Sequence, residues 1–123
     1  AYWHHPRFSS GEHGNASNMS AIWKALVEGG ADVALSGHDH DYERFVAQSD
    51  SGTATAAGVV QFVVGTGGGT LRAFTSAKPA NSVVRDATSN GVLSLTLNAG
   101  SYSWNFLPVA GKTFADSGTA TCH

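Results

Sequence analysis

The sequence has only one cysteine, few basic residues and no long apolar segment, and each scarcity excludes a class of protein. A single cysteine, Cys122, excludes an internal framework of disulfide bonds. The seven Lys and Arg residues are scattered along the chain, which excludes a broad basic face for nucleic acid. No segment approaches the roughly 18 apolar residues of a membrane-spanning helix. We therefore expect neither a nucleic acid nor a membrane as a partner.

The composition is that of one folded domain. The 123 residues are 41% hydrophobic and 13% charged, which supplies a core and leaves too little charge for intrinsic disorder. Low charge with abundant Ala, Ser, Thr and Gly favours a secreted or extracytoplasmic protein. The sequence begins abruptly with the strand-like Ala1-Tyr2-Trp3 and shows no signal peptide. We expect it to be a fragment of a longer protein.

The first 45 residues carry the signals of a βαβ unit. Residues 1–5 are rich in aromatic side chains and stop at Pro6, which favours a short buried strand, and the polar residues 6–16 read as a loop. A second short strand is predicted over residues 32–36. With a helix between them, the two strands should pair in parallel, and the groups that follow each strand should meet at one edge of the sheet.

The helix between these strands is indicated by one stripe of apolar side chains with a period of 3.6 residues. This stripe consists of Met19, Ile22, Trp23, Leu26 and Val27. Ser17 or Asn18 is expected to cap the first turn, and Gly29-Gly30 is expected to end the helix in a left-handed turn. The tryptophans are expected to lie in the core.

Residues 46–123 carry mainly strand signals. Residues 59–64 predict an apolar strand that ends in a tight turn at the glycine-rich residues 65–69. Residues 75–90 are rich in Ser, Ala and Asn and are predicted to form a surface loop. Apolar and polar side chains alternate across residues 93–106, on both sides of an Asn-Ala-Gly turn, which predicts a hairpin. The sequence thus predicts an α/β fold with a βαβ unit followed by mostly antiparallel strands.

Five of the six histidines lie within the first 40 residues. His4 follows the first predicted strand and His38 follows the second, so parallel pairing should bring these two imidazoles together. His40 lies two residues beyond His38, and this pair can reach two adjacent metal positions. Three converging imidazoles are ligand chemistry for zinc, iron or manganese. The alternative is that all of them are ordinary loop histidines.

Two segments resemble motifs of a known family. Residues 1–6 (AYWHHP) and residues 36–44 (SGHDHDYER) resemble the last two motifs of the calcineurin-like metallophosphoesterases. In the purple acid phosphatase branch these motifs read V-x-x-H and G-H-x-H-x-Y-E-R, and Ala1 replaces the valine. Residues 62–68 resemble the glycine-rich strand end of bacterial members. The resemblance implies the C-terminal half of a metallophosphoesterase-type β-sandwich flanked by helices, in a secreted bacterial protein.

The resemblance also implies a dinuclear metal site that hydrolyses a phosphate ester. His4 and His38 would bind one Fe, Zn or Mn ion and His40 the other, and the two ions would activate a water for in-line attack on phosphorus. His13, in the polar loop, would donate a proton to the leaving group or contact the phosphate, and is otherwise an exposed loop histidine. Six further residues would surround these positions: His5, Asp39, Asp41, Tyr42, Glu43 and Arg44.

The surrounding residues have different expected roles. Asp39 or Asp41 accepts a hydrogen bond from a ligand imidazole and fixes its tautomer, unless both are exposed loop carboxylates. Tyr42, Glu43 and Arg44 are expected to form an architectural cluster in which the two charged residues pair with neighbours.

The other ligands of the family come from three motifs, D-x-H or D-x-G, G-D-x-x-Y and G-N-H-D/E. These motifs lie ahead of V-x-x-H and therefore outside these 123 residues. We expect phosphatase activity to require this N-terminal half, attached or as a companion chain, and Cys122 to find its partner there. Two hypotheses compete: a non-catalytic α/β module that binds a single structural metal ion or none, and a different hydrolase, for which no G-x-S-x-G motif is present.

Overall fold

A computed structural model describes residues 1–123 as a mixed α/β fold with one short α-helix and seven strands. The helix, α1, spans Ser20–Glu28 and follows a 3-10 turn at Ser17–Met19. With nine residues, α1 is too short to cross a bilayer, which takes about 20. The strands are β1 (Val33–Ser36), β2 (Tyr42–Gln48), β3 (Val59–Val64), β4 (Ser82–Asp86), β5 (Gly91–Asn98), β6 (Ser101–Pro108) and β7 (Ser117–Thr121).

The strands form two sheets that pack as a sandwich. The first sheet has the order β1-β3-β2-β4, with β1 parallel to β3 and the other pairs antiparallel. The second sheet has the order β5-β6-β7 and is antiparallel throughout. Side chains of β3 alternate between two cores, because Val63 packs in one cluster with Trp23 and Phe62 packs in another with Phe106. The first sheet is therefore covered by α1 on one face and by the second sheet on the other.

The predicted helix is present, with one correction at its start. Trp23 is fully buried and anchors α1 on the first sheet. The end at the glycine pair is also as predicted, since Gly30 has a φ of 70° and its amide donates to the Val27 carbonyl at 3.2 Å. The predicted cap is wrong, because neither Ser17 nor Asn18 makes a side-chain cap and a 3-10 turn leads into the helix instead.

The first predicted strand is reduced to a single parallel bridge between Tyr2 and Leu35 of β1. The Trp3 amide donates to the Leu35 carbonyl at 3.0 Å. The Gly37 amide donates to the His4 carbonyl at 3.1 Å. The parallel pairing expected of a βαβ unit is therefore present, and it aligns the residues that follow each strand.

Two strands, β2 and β4, form where the sequence predicted none. The strand at residues 59–64 and the hairpin of β5 and β6 form as expected. Residues 75–90 are not a continuous loop, because β4 forms within them and pairs with β2 at the edge of the first sheet. Only Ser82 of β4 is buried, so no alternation of apolar side chains marks this strand in the sequence.

An apolar groove lies where the edges of the two sheets meet. It has a volume of about 390 Å³ and runs between the N-terminal segment with β1 and the hairpin of β5 and β6. Its lining includes Tyr2, which is 85% exposed, and Leu97, which is 71% exposed. The N-terminal segment pairs with the outer side of β1, and β5 is an outer strand of the second sheet, so the groove is bordered by the N-terminal segment and by a sheet edge that can accept a further strand.

Candidate functional site

Three imidazoles gather where the N-terminal segment and β1 end. His4 and His5 follow the bridge at Tyr2, and His38 follows β1 after one glycine. The nitrogens that the three rings offer to a metal ion all lie within 4.8 Å of one another. His4 Nε2 and His38 Nδ1 are 3.0 Å apart. The structure thus brings His4 and His38 together, and it adds His5, which the sequence suggested only as a neighbour.

The backbone at His38 is held in an unusual turn. His38 has a φ of 66° and is the one non-glycine residue with positive φ. The Asp39 amide donates to the Gly37 carbonyl at 2.8 Å, which closes a γ-turn around His38. A left-handed backbone costs a non-glycine residue roughly 1–2 kcal/mol, so the surrounding contacts must hold it. Burial, and next the imidazole of His13, lowers the pKa of His38, which favours the neutral ring that binds a metal ion.

His40 lies outside this group of three. Its Nδ1–H donates to the Thr70 carbonyl at 2.9 Å, because a carbonyl can only accept. In the neutral ring this leaves a lone pair on Nε2, as in many histidines that bind metal ions. The ring rests against Gly69, where a Cβ would lie 2.8 Å from Cε1 of His40. The glycine run therefore makes room for this imidazole, and its role as the ligand of a second ion stays a prediction.

His13 is placed beside the three imidazoles by the loop that follows Pro6. Its ring centroid is 4.1 Å from that of His38, and the two planes are tilted by 42°. The His13 amide and the His13 Nδ1 both donate to Oδ1 of Asp39, each at 2.8 Å. The side chain of His13 is 41% exposed. His13 is thus fixed in place at two points while its ring stays open to a ligand from solution.

Asp39 is fully buried, and both of its oxygens are engaged. Oδ2 accepts a hydrogen bond from the Ser9 hydroxyl, and Oδ1 accepts the two from His13. Burial opposes ionisation of this carboxyl, but the donated hydrogen bonds outweigh it and hold the pKa of Asp39 below its usual range. The alternative of an exposed carboxylate does not hold for Asp39, and the imidazole that it contacts is His13 rather than a predicted metal ligand.

Asp41 and Glu43 continue the row of buried carboxyl groups into β2. Asp41 is 1% exposed, and neither of its oxygens has a hydrogen-bond partner. Burial, together with the charges of Asp39 and Glu43, raises the pKa of Asp41 to about 7. Glu43 is fully buried and accepts hydrogen bonds from the amide and the hydroxyl of Ser10, both at 2.7 Å. Asp41 is therefore not an exposed loop carboxylate. Asp39, Asp41 and Glu43 lie at every second position of the chain, and all three face the loop that carries His13.

Tyr42 and Arg44 alternate with Asp41 and Glu43 along the chain, and their side chains face the second sheet. Arg44 forms a bidentate ion pair with Asp116, with distances of 2.7 Å from Nε to Oδ2 and 3.0 Å from Nη2 to Oδ1. The Tyr42 hydroxyl donates to the same carboxylate at 2.7 Å. Burial opposes ionisation of Asp116, but the donors of Arg44 and Tyr42 hold its pKa below the usual range. These contacts join β2 to the segment that leads into β7.

Two serines take part in the site without a signal in the sequence. Ser9 and Ser10 bond to carboxyl groups that lie 30 and 33 positions further along the chain. A Ser-Ser pair in a polar loop resembles any other surface loop. The one usable clue is Gly11, where a Cβ would lie 2.6 Å from Cγ of Asp39. A glycine at this position allows the loop to approach the buried carboxyl groups closely.

Comparison with known proteins identifies similar folds. No protein-family model matches the chain, and no curated protein sequence matches it. GAP50, the anchor in the inner membrane complex of Plasmodium, is similar to 98% of this chain, with a TM-score of 0.79 and 16% identity, over 35% of its own length. The purple acid phosphatase PPD1 from yellow lupin (Lupinus luteus) seeds is also similar to 98% of this chain, with a TM-score of 0.77 and 20% identity, over 24% of its own length.

The chain thus spans about a quarter to a third of the length of these two proteins. At these identities the likeness concerns the fold, and the fold is shared by an anchor protein and a phosphatase. The α/β fold with two sheets that the sequence predicts is confirmed, and it is similar to part of a purple acid phosphatase.

Proposed function

We propose that this chain is the C-terminal portion of a metal-dependent phosphoester hydrolase, a purple acid phosphatase-like metallophosphoesterase of a secreted bacterial kind. One observation carries the proposal: His4, His5 and His38 present ligand nitrogens within 4.8 Å of one another at the end of a parallel β pair. His13 lies against the same group, with its ring centroid 4.1 Å from that of His38. The likeness in fold to a phosphatase supports the same assignment.

The donor set suits the expected metal ions. Imidazole nitrogens are common ligands of zinc and iron, and the neutral form favoured at His38 is the one that binds. In this proposal His4 and His38 hold one ion and His40 holds the second. When bound, such ions stabilise negative charge on phosphoryl oxygens and lower the pKa of water. His13 donates a proton to the leaving-group oxygen, and its exposed ring leaves space for a phosphate ester.

An N-terminal half of the same protein supplies the remaining ligands in this proposal. Asp39, the carboxylate beside the histidines, is already bonded to Ser9 and His13. The apolar groove between Tyr2 and Leu97 supports the presence of such a half, because strands added beside the N-terminal segment and beside β5 would cover it. The two proteins of similar fold also extend well beyond the matched part, which makes up 35% and 24% of their chains.

The test compares the 123-residue chain with a polypeptide that also includes the sequence encoded ahead of Ala1. We expect only the longer polypeptide to hydrolyse p-nitrophenyl phosphate when Zn²⁺, Mn²⁺ or iron is added. His38→Ala should abolish this hydrolysis. His123→Ala is the matched control, because the His123 ring pairs with Asp32 at 2.8 Å and takes no part in the histidine group. Hydrolysis that survives His38→Ala would refute the proposal, and a tight two-ion site in the 123-residue chain would contradict the need for an N-terminal half.

A second candidate is a non-catalytic module that binds one structural metal ion, and the position of His5 favours it. Three imidazoles within 4.8 Å of one another can bind a single zinc ion, and a structural site would take its fourth ligand from another protein group. The likeness to an anchor protein is consistent with a role without catalysis.

Substitutions of His5 and His40 distinguish the two candidate functions. In the phosphatase, His40→Ala should stop hydrolysis by the longer polypeptide, whereas His5→Ala should leave most of it. In the single-metal module, His5→Ala should weaken Zn²⁺ binding in calorimetry, and His40→Ala should leave that binding unchanged.

A further inference from the structure

We propose that Asp39 is a positioning residue for His13: it keeps a proton on Nδ1 and leaves Nε2 as the ring atom that can meet a phosphate ester. The transfer of a proton to an ester rests on the proposed function, whereas the orientation and the tautomer of His13 do not. Nothing in the sequence motif assigns this role to Asp39, because the motif leaves the residue between His38 and His40 unspecified.

A single oxygen of Asp39 holds His13 at two points. Oδ1 accepts the backbone amide of His13 at 2.8 Å and the ring Nδ1 at 2.8 Å. The first contact fixes where the chain passes, and the second fixes how the ring is turned. The fixed ring lies 4.1 Å from that of His38, measured between centroids. Asp39 therefore determines both the position and the orientation of His13 next to the metal-binding group.

Asp39 is itself held from its other side. The Ser9 hydroxyl donates to Oδ2, and the Gly11 amide donates to the Ser9 hydroxyl oxygen at 3.0 Å. Asp39 has no exposed surface, so water does not compete for these contacts. A buried carboxylate whose two oxygens are both bonded has one stable orientation. This rigidity is what a positioning residue requires.

A second carboxylate anchors the same loop without touching His13. Glu43 accepts the amide and the hydroxyl of Ser10, both at 2.7 Å, and Arg85 donates to the Ser10 hydroxyl oxygen at 3.0 Å. Loosening the loop at Ser10 and releasing the ring of His13 are therefore separable by mutation. Glu43 provides the matched control for Asp39.

The contact with Asp39 determines which nitrogen of His13 can act on a substrate. A carboxylate can only accept, so Nδ1 carries a proton, and the neutral ring has its lone pair on Nε2. When His13 is protonated, Nε2–H can be given to the leaving-group oxygen as a water oxygen forms a bond to phosphorus and the bond from phosphorus to the leaving-group oxygen breaks. The electrons of the P–O bond then stay on that oxygen, and those of the N–H bond stay on Nε2. His13 returns to the neutral form with its proton still on Nδ1.

The decisive measurement is the tautomer of His13, read from nitrogen NMR spectra of the 123-residue chain labelled with ¹⁵N in its imidazoles. Spectra are taken without metal at about pH 8.5, two units above the ordinary pKa of histidine. We expect the Nδ1–H form for His13 in the wild type. Finding the Nε2–H form there would overturn the proposal without the need for any variant. Asp39→Ala should release His13 to the Nε2–H form or to a mixture of both forms.

Two controls distinguish Asp39 from general support of the loop. Glu43→Gln and Ser9→Ala should each leave His13 in the Nδ1–H form, because the contact between Oδ1 and the ring remains. If Glu43→Gln changes the tautomer as much as Asp39→Ala does, the loop as a whole sets the ring and the proposal is wrong.

Kinetics of the longer polypeptide test the second part of the proposal. His13→Ala should lower kcat for p-nitrophenyl phosphate by about 100-fold or more, the usual scale of general acid catalysis. Asp39→Ala should lower kcat by a smaller factor and leave KM nearly unchanged. The double variant should be no slower than His13→Ala alone, because Asp39 acts only through His13. A further loss in the double variant would refute that route. If no form hydrolyses the ester, the proposed function fails and the NMR result still decides the role of Asp39.

Discussion

Asp116→Asn should destabilise the fold by about 2–4 kcal/mol at neutral pH, because it removes the counter-charge of a guanidinium that is largely shielded from solvent. Asp116 is 7% exposed and accepts hydrogen bonds from Arg44 and Tyr42. The Arg44 guanidinium also lies 4.8 Å from the centre of the Trp104 ring. Asparagine keeps the size of the side chain but leaves this positive charge without its partner inside the sandwich.

The magnitude follows from the burial of the ion pair. Removing one partner of a fully buried pair costs about 3–5 kcal/mol. The side chain of Arg44 is 19% exposed, so solvent screens part of its charge and the expected loss falls to about 2–4 kcal/mol. In a chain of 123 residues, a loss of this size lowers Tm by roughly 10–20 °C.

The loss should also depend on pH. The pKa of Asp116 is lower in the folded protein than in the unfolded chain, where an aspartate titrates at about 3.9. The ionised carboxylate therefore stabilises the fold fully above that value, and this contribution is lost as the pH falls through the folded-state pKa. The difference in unfolding free energy between the wild type and Asp116→Asn should be constant from about pH 5 to pH 8 and shrink below about pH 4.

Urea unfolding followed by tryptophan fluorescence measures this difference. Asp50→Asn is the matched control, because Asp50 makes its hydrogen bond to Arg7 through the backbone carbonyl. A loss below about 1 kcal/mol at pH 7, the range of a surface ion pair, would refute the reasoning. An equal loss at pH 3 and pH 7 would show that the charge of Asp116 is not what stabilises the fold.

Three further predictions concern backbone and core positions. Gly65→Ala should destabilise the fold by about 1–3 kcal/mol in urea unfolding, because a Cβ there would lie 2.7 Å from the carbonyl carbon of Asp39. Gly67→Ala is its control, since a Cβ there meets nothing within 4 Å. His38→Asn should keep the stability or raise it by up to about 1 kcal/mol, because asparagine tolerates positive φ, while Zn²⁺ binding in calorimetry weakens. Lower stability of this variant would contradict backbone strain. Trp23→Ala should cost about 3–5 kcal/mol, and an unchanged Tm would contradict its place in the core.

How much of the fold the sequence predicts depends on how clearly apolar side chains mark each element in the sequence. The helix, β3 and the hairpin each have a clear pattern of apolar side chains, and all three form as predicted. β4 lies at a sheet edge, and only Ser82 in it is buried. Its pairing with β2 is therefore not marked by a pattern of apolar side chains in the sequence. The first strand is shorter than expected, since it is a single bridge at Tyr2, although backbone hydrogen bonds also join Trp3 to Leu35 and His4 to Gly37.

The candidate site likewise contains one contact that the sequence predicts and others that it does not. The approach of His4 to His38 follows from the rule that the carboxyl ends of parallel strands meet at one edge. The contact of His13 with Asp39 spans 26 positions and that of Arg44 with Asp116 spans 72, and neither has a periodic signal. Such pairs depend on how a loop and a distant strand pack, and packing of this kind cannot be derived from local preferences.

The alternation of side chains along residues 39–44 has a practical consequence for mutagenesis of the motif. Asp39 faces the loop that carries His13, whereas Arg44 faces the interior between the sheets. Substitutions at neighbouring residues of the same motif therefore test different properties, namely the stability of the fold at Arg44 and the orientation of His13 at Asp39. An inactive variant at Tyr42 or Arg44 is expected to be an unfolded one, and an inactive variant at Asp39 a folded one with a misdirected imidazole. A melting curve for each variant is what tells these two kinds of inactivity apart.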